Sequence, residues 1–379
     1  MPEIQNLSTP NGKSAHQRGK TFLKLLQKVY ALLSSVKLAL ALLIIILMCC
    51  VTGVTILRGE RAWALIFNTL WFNGILVLLV TNVGVCFFGR IWGRRVTLIS
   101  LGMILFHLSF VALLGGIIYS SLFYFRGTIR LTEGETLASG DPQSYDAFDH
   151  GRFFDFSKLK GETALIKMHR GYLLEYEDKR AAYEVAVGEG GQKKQGIIYI
   201  THSLDHNGFS YFNDKEGYSL LIMLYDQAGK ELYGAHVPLQ SLKQQNDTYL
   251  YTTGTKVGPG RLPFPQDPLK PLYELQIVYI PTLIKERAGD AVFQVWPLAE
   301  ADAKQEKKPI AERKALIGEQ FKVRDYFLSV KEVRYWVGMM VRYEPGKPIV
   351  LTSLWVGLSG MIITFVGRMR KDRKASNSD

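Results

Sequence analysis

One histidine in this sequence stands where histidines are costly. His107 lies in the run LGMILFHLSFVALLGG, with apolar residues on both sides. Counted from Thr97 at ~1.5 Å per residue, a helix would carry its ring about 15 Å into an apolar layer. An ionisable group at that depth is a functional-site candidate by default. Ser100, Met103, Val111, Leu114 and Gly115 share its helix face, and a flat cofactor or a packed helix could lie against Gly115. Two readings stay open from the residues alone: a ligand, or a neutral imidazole bonded to a neighbouring helix.

The other residues able to do chemistry form weaker patterns. His202 and His206 sit four apart in YITHSLDHNG, a spacing that suits a metal on a helix. Their surroundings predict a strand followed by a turn, so turn and surface roles are the expectation. Cys49, Cys50 and Cys86 all fall within apolar runs, which predicts small apolar side chains rather than redox chemistry. The rest of the chain has no cysteine, hence no disulfide framework, no CxxC pair and no CxxCH attachment motif. No GxxxxGK[ST] loop, HExxH or nucleophile elbow occurs, and no complete active site is expected in this chain alone.

Four apolar runs supply the elements that would position His107. They span residues 36–57, 70–88, 97–123 and 347–367, each of a length that crosses a bilayer as a helix. Lys37 is near an end of the first, where it can snorkel. That run is too long for a cleaved signal peptide, and no small-residue cleavage site follows it. Residues 1–35 are basic, and 21–35 (TFLKLLQKVYALLSS) predict a short interfacial helix.

Charge then sets the expected topology. The whole chain carries a net charge of +12, yet residues 126–346 hold 29 basic against 30 acidic residues. The surplus sits in the N-terminus, in the segment holding Arg90, Arg94 and Arg95, and in the tail 368–379 (RMRKDRK). An even number of crossings separates these segments, so one orientation puts all three in the cytoplasm. The same partition argues against nucleic acid as a partner. A multi-pass protein of the cell inner (cytoplasmic) membrane is expected, with a large domain on the periplasmic, extracytoplasmic side.

That domain, 125–346, reads as β-rich. Short β-branched and aromatic runs recur at 196–201, 209–212, 219–224, 249–253, 275–280 and 292–295. HNG at 206–208, DKEG at 214–217 and DQAG at 226–229 predict turns. The charged stretch 298–316 predicts a solvated helix or loop. The expected fold is four transmembrane α-helices plus one β-rich extracytoplasmic domain, sandwich or barrel-like.

Several segments together resemble the ResB/CcsB family of system II cytochrome c biogenesis proteins. IFNTLWFNGILVLLVTNVGVC looks like that family's second span, with Trp71 and Phe72, a Leu-rich run, then Asn82 and Cys86. HLSFVALLGGIIYSSLFYFRGTIRLTEGET is similar to its histidine-led helix running into a "G…eGe" segment (His107, Gly115, Gly127, Glu133, Gly134, Glu135). YITHSLDHNGFSYFNDKEGYS resembles its strand–turn–strand signature, with His202-Ser203 where the family has Asn-Pro. VGMMVRYEPGKPIVLTSLWVGLSGMIITF resembles its return to the membrane through Pro345 and Gly346, with Glu344 in place of the usual Asp.

The resemblance implies one half of a membrane complex that carries heme across the membrane and presents it to apocytochrome c for thioether attachment. It implies a second membrane subunit of the ResC/CcsA type, whose Trp-rich motif this chain lacks, and a thiol-reducing protein. His107 would then be an axial ligand to heme iron. The alternative is a membrane-anchored scaffold or binding domain that assembles a partner complex and binds no heme.

Overall fold

The computed structural model describes residues 24, 26–88, 96–175, 177–179, 181–244, 249–255, 258–266, 269–282, 287–298 and 308–376. The segment with Arg90, Arg94 and Arg95, residues 1–23 and residues 299–307 of the charged stretch lie outside them. The chain divides into two compact units.

The first unit, 1–124 with 150–154 and 344–379, is helical. Four of its helices are long and apolar enough to cross a membrane: α1 (Val36–Leu57), α2 (Leu70–Phe87), α3 (Leu98–Phe123) and α4 (Lys347–Lys371). Residues 26–33 are also helical and break at Ser35 before α1. Thr97 caps α3, its hydroxyl accepting from Ser100 N–H while the Ser100 hydroxyl accepts from Thr97 N–H. Gly59–Ala62 and Trp63–Phe67 form a short helical link between α1 and α2.

Where hydrocarbon surrounds both partners, apolar burial does not drive helix association, and close contact between small residues takes over. α3 shows Gly102, Ser109 and Gly116 at heptad spacing, and the α4 segment shows Gly346, Ser353, Gly360 and Gly367. A Cβ at Gly102 would stand 2.6 Å from the Gly360 carbonyl oxygen, and one at Gly360 would stand 2.7 Å from that of Gly102. The two helices therefore touch backbone to backbone, which only hydrogen side chains permit. α1 and α2 meet instead through larger side chains, with Leu42, Phe72, Leu76 and Leu79 in a cluster that also holds Leu114 of α3.

The second unit, 125–149 and 155–343, is β-rich, and the strand pairs whose register is described are antiparallel. Its largest sheet runs β11 (Glu231–Pro238), β10 (Phe209–Tyr225), β21 (Tyr326–Tyr343), β1 (Phe125–Thr132) and β3 (Tyr145–His150), with β9 (Leu204–His206) and β20 (Gln320–Val323) paired to it. In it, β10 and β21 form the spine. A second sheet runs β12 (Gln240–Lys243), β13 (Tyr249–Thr252), β17 (Tyr273–Pro281), β18 (Gly289–Pro297) and β19 (Ala311–Leu316). A third runs β2 (Thr136–Ala138), β4 (Glu162–Arg170), β7 (Ala181–Gly188) and β8 (Lys194–Tyr199). The alternation that builds such sheets is plain in β17 (Tyr273–Pro281), where Tyr273, Leu275, Ile277 and Tyr279 point inward. Tyr218 of the first sheet meets Tyr251 and Tyr279 of the second, at ring distances of 4.6 and 4.9 Å.

Two sequence expectations are corrected here. Residues 209–212 and 219–224 belong to one strand, β10, and DKEG lies inside it rather than in a turn. Pairing with β21 carries the chain straight through, with a bulge at Asp214 that absorbs the polar residues. In the charged stretch, Ala311–Leu316 is a strand, β19, paired to β18 at the sheet edge. An edge strand tolerates charge on its open side, so Glu312, Arg313 and Lys314 do not oppose the pairing. The HNG turn forms as expected, with Asn207 and Gly208 at φ 50° and 81° joining β9 to β10.

Candidate functional site

His107 sits ten residues after the Thr97 cap in α3, half-buried. Its Nδ1 lies 2.9 Å from the carbonyl oxygen of Met103, one turn earlier. A carbonyl only accepts, so Nδ1 carries the hydrogen and donates it. In a neutral ring that bond puts the hydrogen on Nδ1 and leaves the lone pair on Nε2. No hydrogen-bond partner for Nε2 occurs among the described residues. A ring held this way matches the usual arrangement of a metal-ligating histidine, whose second nitrogen is bonded to a carbonyl or carboxylate.

The ring's apolar setting comes from two helices. Phe87, at the end of α2, stacks on His107 with centroids 3.6 Å apart and planes at 8°. Phe106 meets it edge-on at 5.4 Å. The last turn of α2, Gly84–Phe88, is a wide π-helical turn, which changes the direction of Phe87 relative to the turns before it. On the histidine's own face, Gly115 has nothing within 4 Å of where a Cβ would stand. It is Gly116, one residue on, that faces α4, where a Cβ would stand 3.1 Å from Ile349 and Val350. The face carrying His107 is thus partly open at Gly115, while the adjacent face is filled. Leu114 is buried in the helix cluster.

Asn82 and Cys86 lie one turn apart in α2 and serve the chain before α1. Asn82 is fully buried, and its Nδ2 donates to the carbonyls of Leu33 (2.6 Å) and Ser35 (3.1 Å). The Cys86 thiol lies 3.8 Å from the same Leu33 carbonyl. These contacts tie the end of helix 26–33 to α2 and give the Leu33 carbonyl a partner beside the break at Ser35, whose own carbonyl also accepts from Ala39 N–H at 3.3 Å. Cys86→Ser keeps a donor at this point, the hydroxyl making an ordinary hydrogen bond there, so the variant should accumulate in membranes at more than about half of the parent level. A near-total loss of the folded chain, read by immunoblot of membranes, would show that the thiol does more than this contact explains. Cys49 packs against the α1–α2 cluster, and all three cysteines are free thiols.

The remaining sequence candidates are held by local contacts. His202 follows β8 in a turn, bridged to Tyr199 and stacked on its ring at 5.0 Å. His206 is in β9, its Nε2 3.0 Å from Asn207 Nδ2. No group of three or more metal-capable side chains occurs among the described residues.

The Glu133-Gly134-Glu135 segment forms the turn after β1. Glu135 accepts from Thr132 N–H at 2.7 Å, and Gly134 has a φ of 83°. Glu133 is buried and engages four groups. Its carboxylate pairs with Arg287 at 2.9 Å and accepts from Met168 N–H at 2.9 Å and Tyr335 N–H at 3.5 Å. Its carbonyl accepts from Arg334 at 3.1 Å. Arg287 also lies over the Tyr335 ring at 5.1 Å. Sequence reading marked this segment by resemblance alone, because nothing local in LTEGET announces a partner more than a hundred residues away. No protein-family profile matches the chain, and no curated protein sequence matches it.

Proposed function

We propose that this chain is a heme-delivery subunit of a system II type cytochrome c maturation complex. The observation that carries the reading is His107: an imidazole deep in an apolar helix, with Nδ1–H committed to Met103 and Nε2 uncommitted. Heme iron takes such a nitrogen as an axial ligand. Heme supplies the sites to which the thiols of an apocytochrome CxxCH motif add. His107 holds it from one side, α3 offers an open face at Gly115, and the hydrocarbon surroundings keep water and oxidants away. A second membrane subunit provides the other axial ligand and the Trp-rich surface. Purifying the chain with and without that subunit and measuring heme by Soret absorbance tests the reading. Heme is expected in the complex. A complex free of heme, prepared under reducing conditions from heme-replete cells, would defeat it.

Both termini lie in the cytoplasm and residues 126–346 outside, since the basic excess is confined to the N-terminus, the second loop and the tail. Protease added to intact spheroplasts should cut within residues 126–346 and spare a C-terminal tag. Loss of the tag with the domain intact would reverse the topology.

One observation favours a second reading. The near-parallel stack of Phe87 on His107 is what a histidine used only for helix packing would show. In that case the chain is a membrane-anchored scaffold, and its outer domain does the binding.

A further inference from the structure

β10 is paired along its whole length to β21, from Phe209↔Tyr343 to Tyr225↔Phe327. Its other edge is covered only near its two ends. Residues 209–211 pair with β9, and residues 219–225 pair with β11. Among the described residues, no strand pairs with 212–217 on that side.

The gap follows from the path of the next strand. Leu239 N–H still donates to the Tyr218 carbonyl at 2.9 Å. Two residues later Ser241 reaches the Glu216 carbonyl only through its side-chain hydroxyl, at 2.7 Å. β12 (Gln240–Lys243) has by then turned away to pair with β13. β10 and β12 therefore diverge like the sides of a wedge. The wedge opens into a cleft of about 860 Å³, lined by Lys215, Gln240, Leu242, Tyr249, Tyr251 and Trp336. A hollow of about 380 Å³ shares Lys215, Gln240 and Trp336 and continues over Arg130 and Asp146. Trp336 is pinned between them, its Nε1–H on the Leu239 carbonyl at 2.9 Å and the Arg130 guanidinium over its ring at 5.0 Å.

Open strand edges are ordinarily blunted by charge, bulges or cover, because they recruit other chains. Here the edge has charge and a bulge at Asp214, but it also has a walled cleft with aromatic sides. Its volume is in the range of ligand pockets, roughly 300–1,000 Å³. Asp214, Lys215 and Glu216 nearly cancel in charge, so the lining selects no strongly acidic or basic ligand. The Glu216 carbonyl is taken by Ser241, and the rest of the 212–217 edge has no strand paired to it on that side among the described residues. We propose that this gap binds an unfolded, extended segment of another polypeptide, which adds as a strand to β10 opposite β21, between β9 and the start of β12. Recognition of this kind rests on the main chain and tolerates many sequences. A six-residue segment, about 20 Å long at ~3.3 Å per residue, would fill the gap. The proposal concerns the β-rich unit and does not rest on the heme reading.

The test uses the full chain in lipid nanodiscs and two fluorescent twelve-residue peptides of alternating Val, Thr and Lys. One has ordinary amides, and the other carries N-methyl groups at every second residue. The first should bind, and the second should bind at least tenfold more weakly. Equal binding of both, or no binding of either, overturns strand addition. Two variants then locate the site. Asp214 is the bulged residue with no partner on β21, so Asp214→Pro spares that ladder while altering the open edge. Tyr249 is exposed at the cleft wall, so Tyr249→Asp alters the lining without emptying the core. Each should weaken the first peptide at least fivefold. If Asp214→Pro fails to fold, Tyr249→Asp decides alone, and unchanged binding in a folded Tyr249→Asp protein overturns the location. No heme is present, so failure here leaves the heme reading standing, and failure of that reading leaves this one.

Discussion

On the proposed heme-delivery function, His107→Ala should strip heme from the purified complex and stop cytochrome c maturation, while the chain itself accumulates normally. The size of the effect follows from what is removed. Changing a residue that merely orients a metal ligand costs about 10–100-fold in affinity, so deleting the ligand should cost roughly 100-fold or more. Folding should survive, because the ring is only half-buried and its one hydrogen bond goes to its own helix. Free imidazole can enter the space left by the ring and occupy the vacated axial position, so adding it should restore part of the heme and part of the activity. His107→Tyr should keep some heme with a shifted Soret band, since a phenolate also ligates iron. The stack on Phe87 supplies the contrast. If His107 only packs, His107→Phe should preserve function, because a phenyl ring can stack as well as an imidazole. Normal heme content and an unshifted spectrum in His107→Ala would sink the ligand assignment and leave the packed histidine.

The helices were legible because hydrocarbon imposes a simple length rule. Runs of about twenty apolar residues can hardly be anything else, and three of the four helices begin and end within a few residues of the runs, while the fourth continues through the basic tail to Ser376. What each helix touches was much less legible. The heptad spacing of Gly102, Ser109 and Gly116 is visible in the sequence, but its counterpart lies some 240 residues on. Gly115 and Gly116 are adjacent glycines with opposite fates, one open and one packed on α4, and composition cannot tell them apart. His107 was legible by depth alone. Its partner Phe87 was not, since it belongs to another helix and owes its direction to a π-helical turn.

In the β-rich unit, legibility followed burial. β17 and β18 bury one face and alternate, so period two announces them. β10 from Tyr218 onward is buried on both faces and its earlier half is polar, so the pattern changes midway and reads as two strands and a turn. β19 is an edge strand rich in charge, and its sequence AERKAL looks helical when taken alone. Tertiary pairing overrode local preference at both places.

Glu133→Ala should lower the stability of the β-rich unit by about 3 kcal/mol. The carboxylate is 6% exposed as a residue and joins strands that are far apart in sequence, through Met168 N–H, Tyr335 N–H and Arg287. Removing it leaves the buried Met168 amide without an acceptor. Arg287 is 38% exposed and can turn to water, so its loss of a partner adds less than a fully buried charge would. At about 2–4 °C per kcal/mol for a domain of this size, the unfolding midpoint should fall by roughly 6–12 °C, read by near-ultraviolet circular dichroism on the full chain in detergent. Glu133→Gln retains an acceptor for Met168 and gives up only the charge, so it should cost about 1 kcal/mol. The pair of variants also decides what the Glu-Gly-Glu segment is for. A carboxylate used to hold strands together should let Glu133→Gln mature cytochrome c at near-normal rates, with Glu133→Ala failing in proportion to its lost stability. A carboxylate used in the chemistry should lose activity in both while Glu133→Gln melts normally. The four contacts around Glu133, all within one unit and none near His107 in sequence or burial environment, favour the first outcome. A midpoint for Glu133→Ala within about 2 °C of the parent protein would mean that the network carries far less than its burial implies.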